Sequence, residues 1–273
     1  MIWRIRWTFN KKPWVLSLPN TLRIAVPRSG AGALIYYQGW SEPEVANFLN
    51  RFLQPGMCFI DIGAHIGEYV LLSAPIIGSK GKIYAFEPDP RNFCILELNV
   101  HLNRLQDIVV INNYAVDRQS GFVNLMLFKE SSISRIFKEI NFQGKKSKSI
   151  VKVPSISLND YVKNKKIDKV DIIKIDVEGA ELFVLEGASN LLSRSKDDAP
   201  ILIFEYSPSN CQSLGYRAEL ILQLLREYGY SIFLLYPDGH IFKTDKVWVP
   251  LGKHINLVAA KSNEKILPLL AKT

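Results

Sequence analysis

The chain predicts an α/β fold built on a doubly wound, mostly parallel sheet, and three observations point there. Apolar runs of strand length alternate with helix-length amphipathic runs from about residue 57 to residue 260. The strand runs are nearly continuous in Ile, Val, Leu and Phe, as expected where a sheet is covered on both faces. The first of them also ends in an acid followed by a glycine turn, Phe59-Ile-Asp61-Ile-Gly63-Ala64-His65-Ile-Gly67. Such a turn places a ligand over the carboxyl ends of parallel strands.

Taken in order, residues 1–40 read as a small β-rich extension broken by Pro13, Pro19, Pro27, Gly30 and Gly32. Within it Trp3, Ile5, Trp7 and Phe9 alternate with Arg4, Arg6, Thr8 and Asn10, the period of a half-buried strand. An aromatic and basic patch that skims a membrane is the competing reading of that stretch. The main domain is expected over 41–273. Ser41-Glu42-Pro43-Glu44 reads as a capping box, and Val45, Phe48, Leu49, Phe52 and Leu53 follow at helical spacing. Strands are expected at Met57–Ile62, Lys82–Phe86 and Ile108–Ile111, with helices after the first two. Asp89 caps the second of those helices and Pro90 opens it.

An insertion over about 117–157 interrupts the alternation, with an extra strand at Gly121–Phe128, a polar lysine-bearing loop at Ser131–Ser149 and an extended Val151–Ser157. A short helix at Leu158–Val162 leads to strands Asp171–Asp176 and Ile201–Tyr206, separated by a helix over Ala180–Leu192. A helix at Ala218–Tyr228 and strands Ser231–Tyr236 and Asn256–Ala260 close the sheet.

Composition narrows the function classes. The 273 residues are 48% hydrophobic and 22% charged, which suits a packed domain and not a disordered one. The net charge of +8 invites an anionic partner, including an acidic acceptor; the cations of the insertion, Arg135, Lys138, Lys145, Lys146, Lys148 and Lys152, read first as a solvated loop. They lack the interleaved aromatics of a single-stranded nucleic-acid platform, which argues against nucleic acid. Cys58, Cys94 and Cys211 have no metal-ligand spacing and fit a reducing, cytoplasmic compartment; the N-terminus does not read as a signal peptide. The sequence sets no oligomeric state.

The candidate site follows from the strand ends. Glu87 closes the second strand, where a carboxylate can accept the ribose hydroxyls of an adenosine-bearing cofactor. The glycines run Gly63-x-x-x-Gly67, with His65 where a dinucleotide fingerprint has glycine, and Asp61 would sit near any phosphates. The pattern therefore favours S-adenosylmethionine, whose reacting end is a cation. An NAD(P)-dependent oxidoreductase on the same sheet and a non-catalytic basic binding module are the alternatives. Gly63, Ala64, His65, Gly67 and Pro88 are expected around the cofactor, with Asn112 or Asn113 and Ala115 near its adenine. Asp176 and Glu178, alternating at the end of the fourth core strand, are expected on the acceptor side, to position or deprotonate a hydroxyl or to hold a divalent ion. Glu178 has a helix-capping role as its plain reading, Glu181 a first-turn one, and Glu205 is weighed as an acceptor-side carboxylate. His101, His240 and His254 have no partner at ligand spacing.

Four segments carry a family resemblance: Trp40-Ser-Glu-Pro-Glu44, Phe59–Glu68, Tyr84-Ala-Phe-Glu-Pro88 and Lys174-Ile-Asp-Val-Glu-Gly-Ala-Glu181, the last preceded by Val153-Pro-Ser-Ile-Ser-Leu-Asn-Asp160. In this order, over roughly 38–260, the chain resembles the FkbM family of methyltransferases. That resemblance implies a class I methyltransferase (Rossmann-like) sheet, S-adenosylmethionine as donor, and O-methylation of a sugar, glycan or secondary metabolite.

Overall fold

A computed structural model describes residues 2–9, 12–18, 22–128, 134–137, 149–261 and 264–270. The N-terminal region runs through α1 (Ile2–Phe9), the antiparallel pair β1 (Trp14–Ser17) and β2 (Arg23–Val26), and α2 (Gly30–Gln38). The stretch Trp3–Asn10, expected to be a strand, is thus a helix as far as Phe9, the last described residue there. Burial shows why the alternation misled: Trp3 and Trp7, four apart, are buried, whereas Ile5 and Phe9 are exposed. That is the period of a helix and not of a strand. The expected β-rich extension accordingly holds one strand pair and two helices. It is fastened to the rest by Asn99, whose Oδ1 accepts the Ala25 N–H at 2.6 Å and whose Nδ2 donates to the Ala25 carbonyl.

The sheet begins after α3 (Pro43–Phe52) with β3 (Cys58–Ile62), α4 (Glu68–Ile77), β4 (Lys82–Phe86), α5 (Pro90–Leu102) and β5 (Val109–Asn112). The α5 start forms as expected, with Asp89 accepting the Arg91 N–H and Pro90 in the first turn. The capping box does not form. Glu42 occupies the cap position of α3 without a side-chain capping bond, and the Ser41 amide and hydroxyl both donate to Glu68.

The insertion supplies a second sheet: β6 (Ala115–Val116), β7 (Gly121–Leu127), β8 (Ser134–Phe137) and β9 (Ser149–Ile156), ordered β6-β9-β7-β8. β8 pairs antiparallel with β7 inside the stretch expected to be a loop. Of the expected basic loop, Lys138, Lys145, Lys146 and Lys148 lie outside the described residues.

After α6 (Leu158–Lys165) come β10 (Ile172–Ile175), α7 (Glu181–Glu186), α8 (Ser189–Leu192) and β11 (Ile201–Tyr206). The single helix expected over 180–192 breaks at Gly187, where an added Cβ would lie 2.3 Å from the Asp117 carbonyl oxygen. The chain then forms α9 (Pro208–Ser213), α10 (Glu219–Glu227), β12 (Ser231–Leu235), β13 (Ile241–Lys243), β14 (Ile255–Ala260) and a 3₁₀ turn at Glu264–Leu269.

Among the described residues the main sheet has eight strands in the order β13-β12-β14-β11-β10-β3-β4-β5. Strands β11, β10, β3, β4 and β5 are mutually parallel, while β14 inserts antiparallel between β11 and β12. This is the doubly wound, Rossmann-like arrangement expected from the sequence. Every residue of β10 and β11 is buried, and alternate residues feed two cores, with Ile60 and Ile62 on one face and Phe59 on the other. From β3 the chain winds out through β4 and β5, then crosses back to β10 on the other side. The reversal opens a crevice at the carboxyl ends of β3 and β10, where ligands bind in such sheets.

Candidate active site

The crevice is shaped by the turn after β3. Gly63 has φ +81°, and a Cβ there would lie 1.8 Å from the Asp176 carbonyl oxygen. The neighbouring strand end therefore already requires a glycine here. Gly63 and Ala64 donate their N–H groups to the Phe86 carbonyl, tying the turn to the end of β4. His65 is left-handed at φ 51°, an uncommon state for a residue with a side chain, and its N–H donates to Glu87 Oε2 at 2.8 Å. Glu87 Oε1 accepts the Asp89 N–H at 2.8 Å. Burial, opposed by these bonds, pushes the Glu87 carboxyl up to about 8.

A cavity of 490 Å³ opens over these strand ends, a size typical of small-molecule sites (roughly 300–1,000 Å³). Of the expected residues, Gly63, Ala64, His65, Glu87, Pro88, Ala115, Asp176 and Glu178 all line it. Three do not. Asp61 is fully buried beneath the turn, with Lys174 as its cross-strand neighbour. Its carboxyl is pushed up to about 6 by burial, against Lys174 and with Asp176. Neither of its oxygens has a hydrogen-bond partner among the described residues. Gly67 caps α4 at φ +86°, packed so that a Cβ would meet Leu96 at 2.5 Å. Asn113 braces the loop after β4, its Nδ2 donating to the Glu87 carbonyl at 2.7 Å. Asn112 is likewise structural, accepting the Tyr161 hydroxyl at 3.0 Å.

The far wall comes from the end of β10. Lys174 is 2% exposed and donates to Asp176 Oδ2 at 3.0 Å, with its ammonium 4.9 Å from the centre of the Tyr69 ring. Burial works against that charge, but Asp176, Asp61 and Glu42 outweigh it and hold the ammonium above the ordinary lysine value. Glu178 sits at φ 57°, so the extended geometry does not persist beyond Asp176, yet both side chains reach the cavity. The cap position of α7 belongs to Ala180; Glu178 Oε2 accepts from Asn210 Nδ2, which also donates to Glu205. The bracing role belongs to Glu181, fully buried, whose Oε1 accepts the Val177 and Gly179 N–H groups.

Glu42, Glu68 and Lys174 line the cavity without having been singled out as site residues in the sequence, whereas Glu205 was weighed there as an acceptor-side carboxylate. Glu42 accepts from Tyr69 and Asn256 at 3.1 and 2.8 Å, and burial, then Asp176, raise its carboxyl. Glu68, held by Ser41, is pushed up to about 7 by burial. Glu205 lines the cavity, its carboxyl pushed up to about 9 by burial, then by Asp176 and Glu178. His254, for which no partner was expected, lies 3.7 Å from Glu205 through Nδ1. Lysine amid Ile172-Ile-Lys-Ile175 was the legible clue, since a cation in a buried strand needs carboxylates around it. The others meet only through the fold. Among the described residues, no group of three His, Cys, Asp or Glu side chains is arranged to hold a metal ion, so the divalent ion weighed at Asp176 and Glu178 has no ready-made ligand set. The three cysteines are free, and no described helix is long and apolar enough to cross a membrane.

Comparison with known proteins identifies the family. The methyltransferase FkbM domain model matches residues 61–232. Hexuronic acid methyltransferase AglP of Haloferax volcanii is 32% identical over 152 residues, 55% of this chain and 58% of AglP. The 31-O-demethyl-FK506 methyltransferase FkbM of Streptomyces tacrolimicus is 22% identical over 200 residues, 64% of this chain and 75% of that one. A crystal structure of methyltransferase FkbM from Methylobacillus flagellatus superposes with a TM-score of 0.45 at 17% identity, covering 84% of this chain and 53% of that one. The chain thus spans little more than half the length of AglP and of the Methylobacillus protein. With the domain model covering most of its length and ending within β12, this chain belongs to the FkbM family of methyltransferases.

Proposed function

We propose that the protein transfers a methyl group from S-adenosylmethionine to a hydroxyl oxygen of a sugar, glycan or secondary metabolite. One observation carries the donor: Glu42, Glu68, Glu87, Asp176, Glu178 and Glu205 line the cavity, and its one lining lysine, Lys174, is paired with Asp176. A dinucleotide would bring a pyrophosphate against that wall, where like charges repel strongly in a low dielectric. A sulfonium cation meets attraction there. Nothing in the geometry favours the oxidoreductase alternative.

The residues present fit such a donor. An ionised carboxylate offers about four acceptor sites. Glu87 gives these to the His65 and Asp89 N–H groups and to the Asn92 side chain, leaving capacity for one ribose hydroxyl and not for the pair expected from the sequence. Pro88 and Ala115 provide apolar wall on the adenine side, while Gly67 and Asn113 hold the surrounding backbone and Asp61 lies buried beside Lys174. Bound there, the donor supplies a methyl on a sulfonium primed to leave as a thioether.

Asp176 then accepts the hydrogen bond of the incoming hydroxyl, fixing its oxygen toward the methyl, and its Lys174 contact holds the carboxylate in place. Much of the rate would come from this orientation. Glu178, Glu205 and His254 border the same end of the cavity, and Glu178 or His254 can receive the proton. Their acidic character favours a neutral hydroxyl over an acidic acceptor, although AglP by its name acts on a hexuronic acid.

The test is single-turnover methyl transfer with Asp176→Asn, which keeps shape but removes charge. The rate should fall about 10²–10⁴-fold, with donor affinity changed no more than a few-fold. Full turnover in the variant, or a parallel loss of donor binding, would remove Asp176 from the acceptor side.

A further inference from the structure

The N-terminal region carries a surface that the methyl-transfer chemistry does not use. On α1, Ile2, Ile5 and Phe9 are 64%, 50% and 85% exposed. Their spacing sets all three on one helical face. The opposite face is anchored: Trp3 packs on Trp7, Trp14 and Tyr36 with ring centres 5.4–6.1 Å apart, and a Cβ on Gly32 of α2 would lie 3.2 Å from Trp3. The exposed stripe is therefore held on a folded platform. Folding the chain onto itself leaves these three side chains in water, although burial of each is favourable by itself. On α2, Leu34 and Tyr37 are exposed as well, one turn apart.

Charge identifies the occupant. Residues 1–41 contain Arg4, Arg6, Lys11, Lys12, Arg23 and Arg28 and no Asp or Glu, the first acid being Glu42. This segment alone carries most of the net charge of +8. Lys12, Arg23 and Arg28 of this segment are exposed. A protein partner could match the apolar stripe, but exposed Ile and Phe on a segment with six cations and no acid match an anionic bilayer. There the apolar face enters the acyl boundary and the cations meet the lipid phosphates.

We propose that α1 and α2 form a peripheral docking face for an anionic lipid bilayer. Leu34 belongs both to this face and to the lining of the cavity. Docking therefore brings the cavity mouth beside the lipid surface. Nothing in this inference depends on which methyl donor or acceptor the cavity takes.

The experiment is co-sedimentation of the full chain with phosphatidylcholine vesicles, with and without phosphatidylglycerol, in the absence of any methyl donor. Binding is expected to the phosphatidylglycerol vesicles alone. The pair Ile5→Ser and Phe9→Ser should weaken it at least about tenfold, since exposed side chains that insert in lipid are lost. Lys12→Glu and Arg28→Glu should each weaken it about fivefold or more. Because all four side chains are exposed, circular dichroism should be unchanged, which separates lost docking from lost folding. Three results overturn the proposal: no preference for the anionic vesicles; binding that salt abolishes but the serine pair leaves intact, which is surface adsorption without insertion; or a stable dimer that Phe9→Ser dissociates, which makes the stripe a self-interface. Donor affinity, measured separately, reports on the methyl-transfer reading, so each can fail without the other.

Discussion

Binding of the donor should be linked to proton release, because three of the carboxyls lining the cavity are held high by burial: Glu68 at about 7, Glu87 at about 8 and Glu205 at about 9. Without a bound donor, burial favours the protonated forms of Glu87 and Glu205 at neutral pH. A sulfonium cation favours the ionised forms, as does a ribose hydroxyl donating to Glu87, so binding expels protons. The sign follows: affinity is weakest at low pH, rises through the range from about 6 to 9, and levels off above it. Each proton released steepens the rise by up to about tenfold per pH unit. Titration calorimetry in buffers of different ionisation enthalpy counts those protons directly. About one should be released near pH 7 with S-adenosylmethionine. Fewer should be released with S-adenosylhomocysteine, which keeps the ribose and lacks the sulfonium charge. A dissociation constant flat from about pH 6 to 9, with no buffer dependence, would refute the claim that these carboxyls surround the donor.

Two further perturbations test the architecture of the site. Gly63→Ala places a methyl 1.8 Å from the Asp176 carbonyl at a left-handed position, so β3 and β10 cannot keep their register there; the melting temperature should fall and donor binding should vanish in calorimetry. Glu181→Ala leaves the Val177 and Gly179 N–H groups without their acceptor, which should cost about 1–3 kcal/mol for each buried donor in denaturant unfolding and loosen the loop carrying Glu178.

The parts of the molecule legible in the sequence are those whose cause is local. Lys82–Phe86 has the bounds read from its apolar run, and Asp89-Pro90 starts its helix as read, because cap and first-turn chemistry need only neighbours in the chain. The turn after β3 was found for an incomplete reason: its glycine answers to the Asp176 carbonyl, a contact made by a distant strand. Tertiary pairing explains the misses. Ser41 had a local partner available in Glu44 but bonds Glu68 across a helix interface, which no spacing rule contains. β13 is three residues long and exists because β12 lies beside it. The eight residues of α1 fit two periodicities, and only packing against Tyr36 and Trp14 selects the helix. Asp61 reads as a ligand because it ends a strand at a ligand crevice, yet its register opposite Lys174 turns it into the buried counter-charge of the site. Glu205 and His254 come together because β14 runs back beside β11.

The central claim, that the acid-lined cavity takes a cationic adenosine donor, is tested most directly by calorimetric titration of the full chain with S-adenosylmethionine, S-adenosylhomocysteine and NAD at a pH of about 8, where Glu87 is substantially ionised. Both sulfur compounds should bind in the micromolar range, and NAD should bind at least about tenfold more weakly because its pyrophosphate faces the carboxylates. Tighter binding of NAD, or no heat from either sulfur compound with the protein folded, would contradict it.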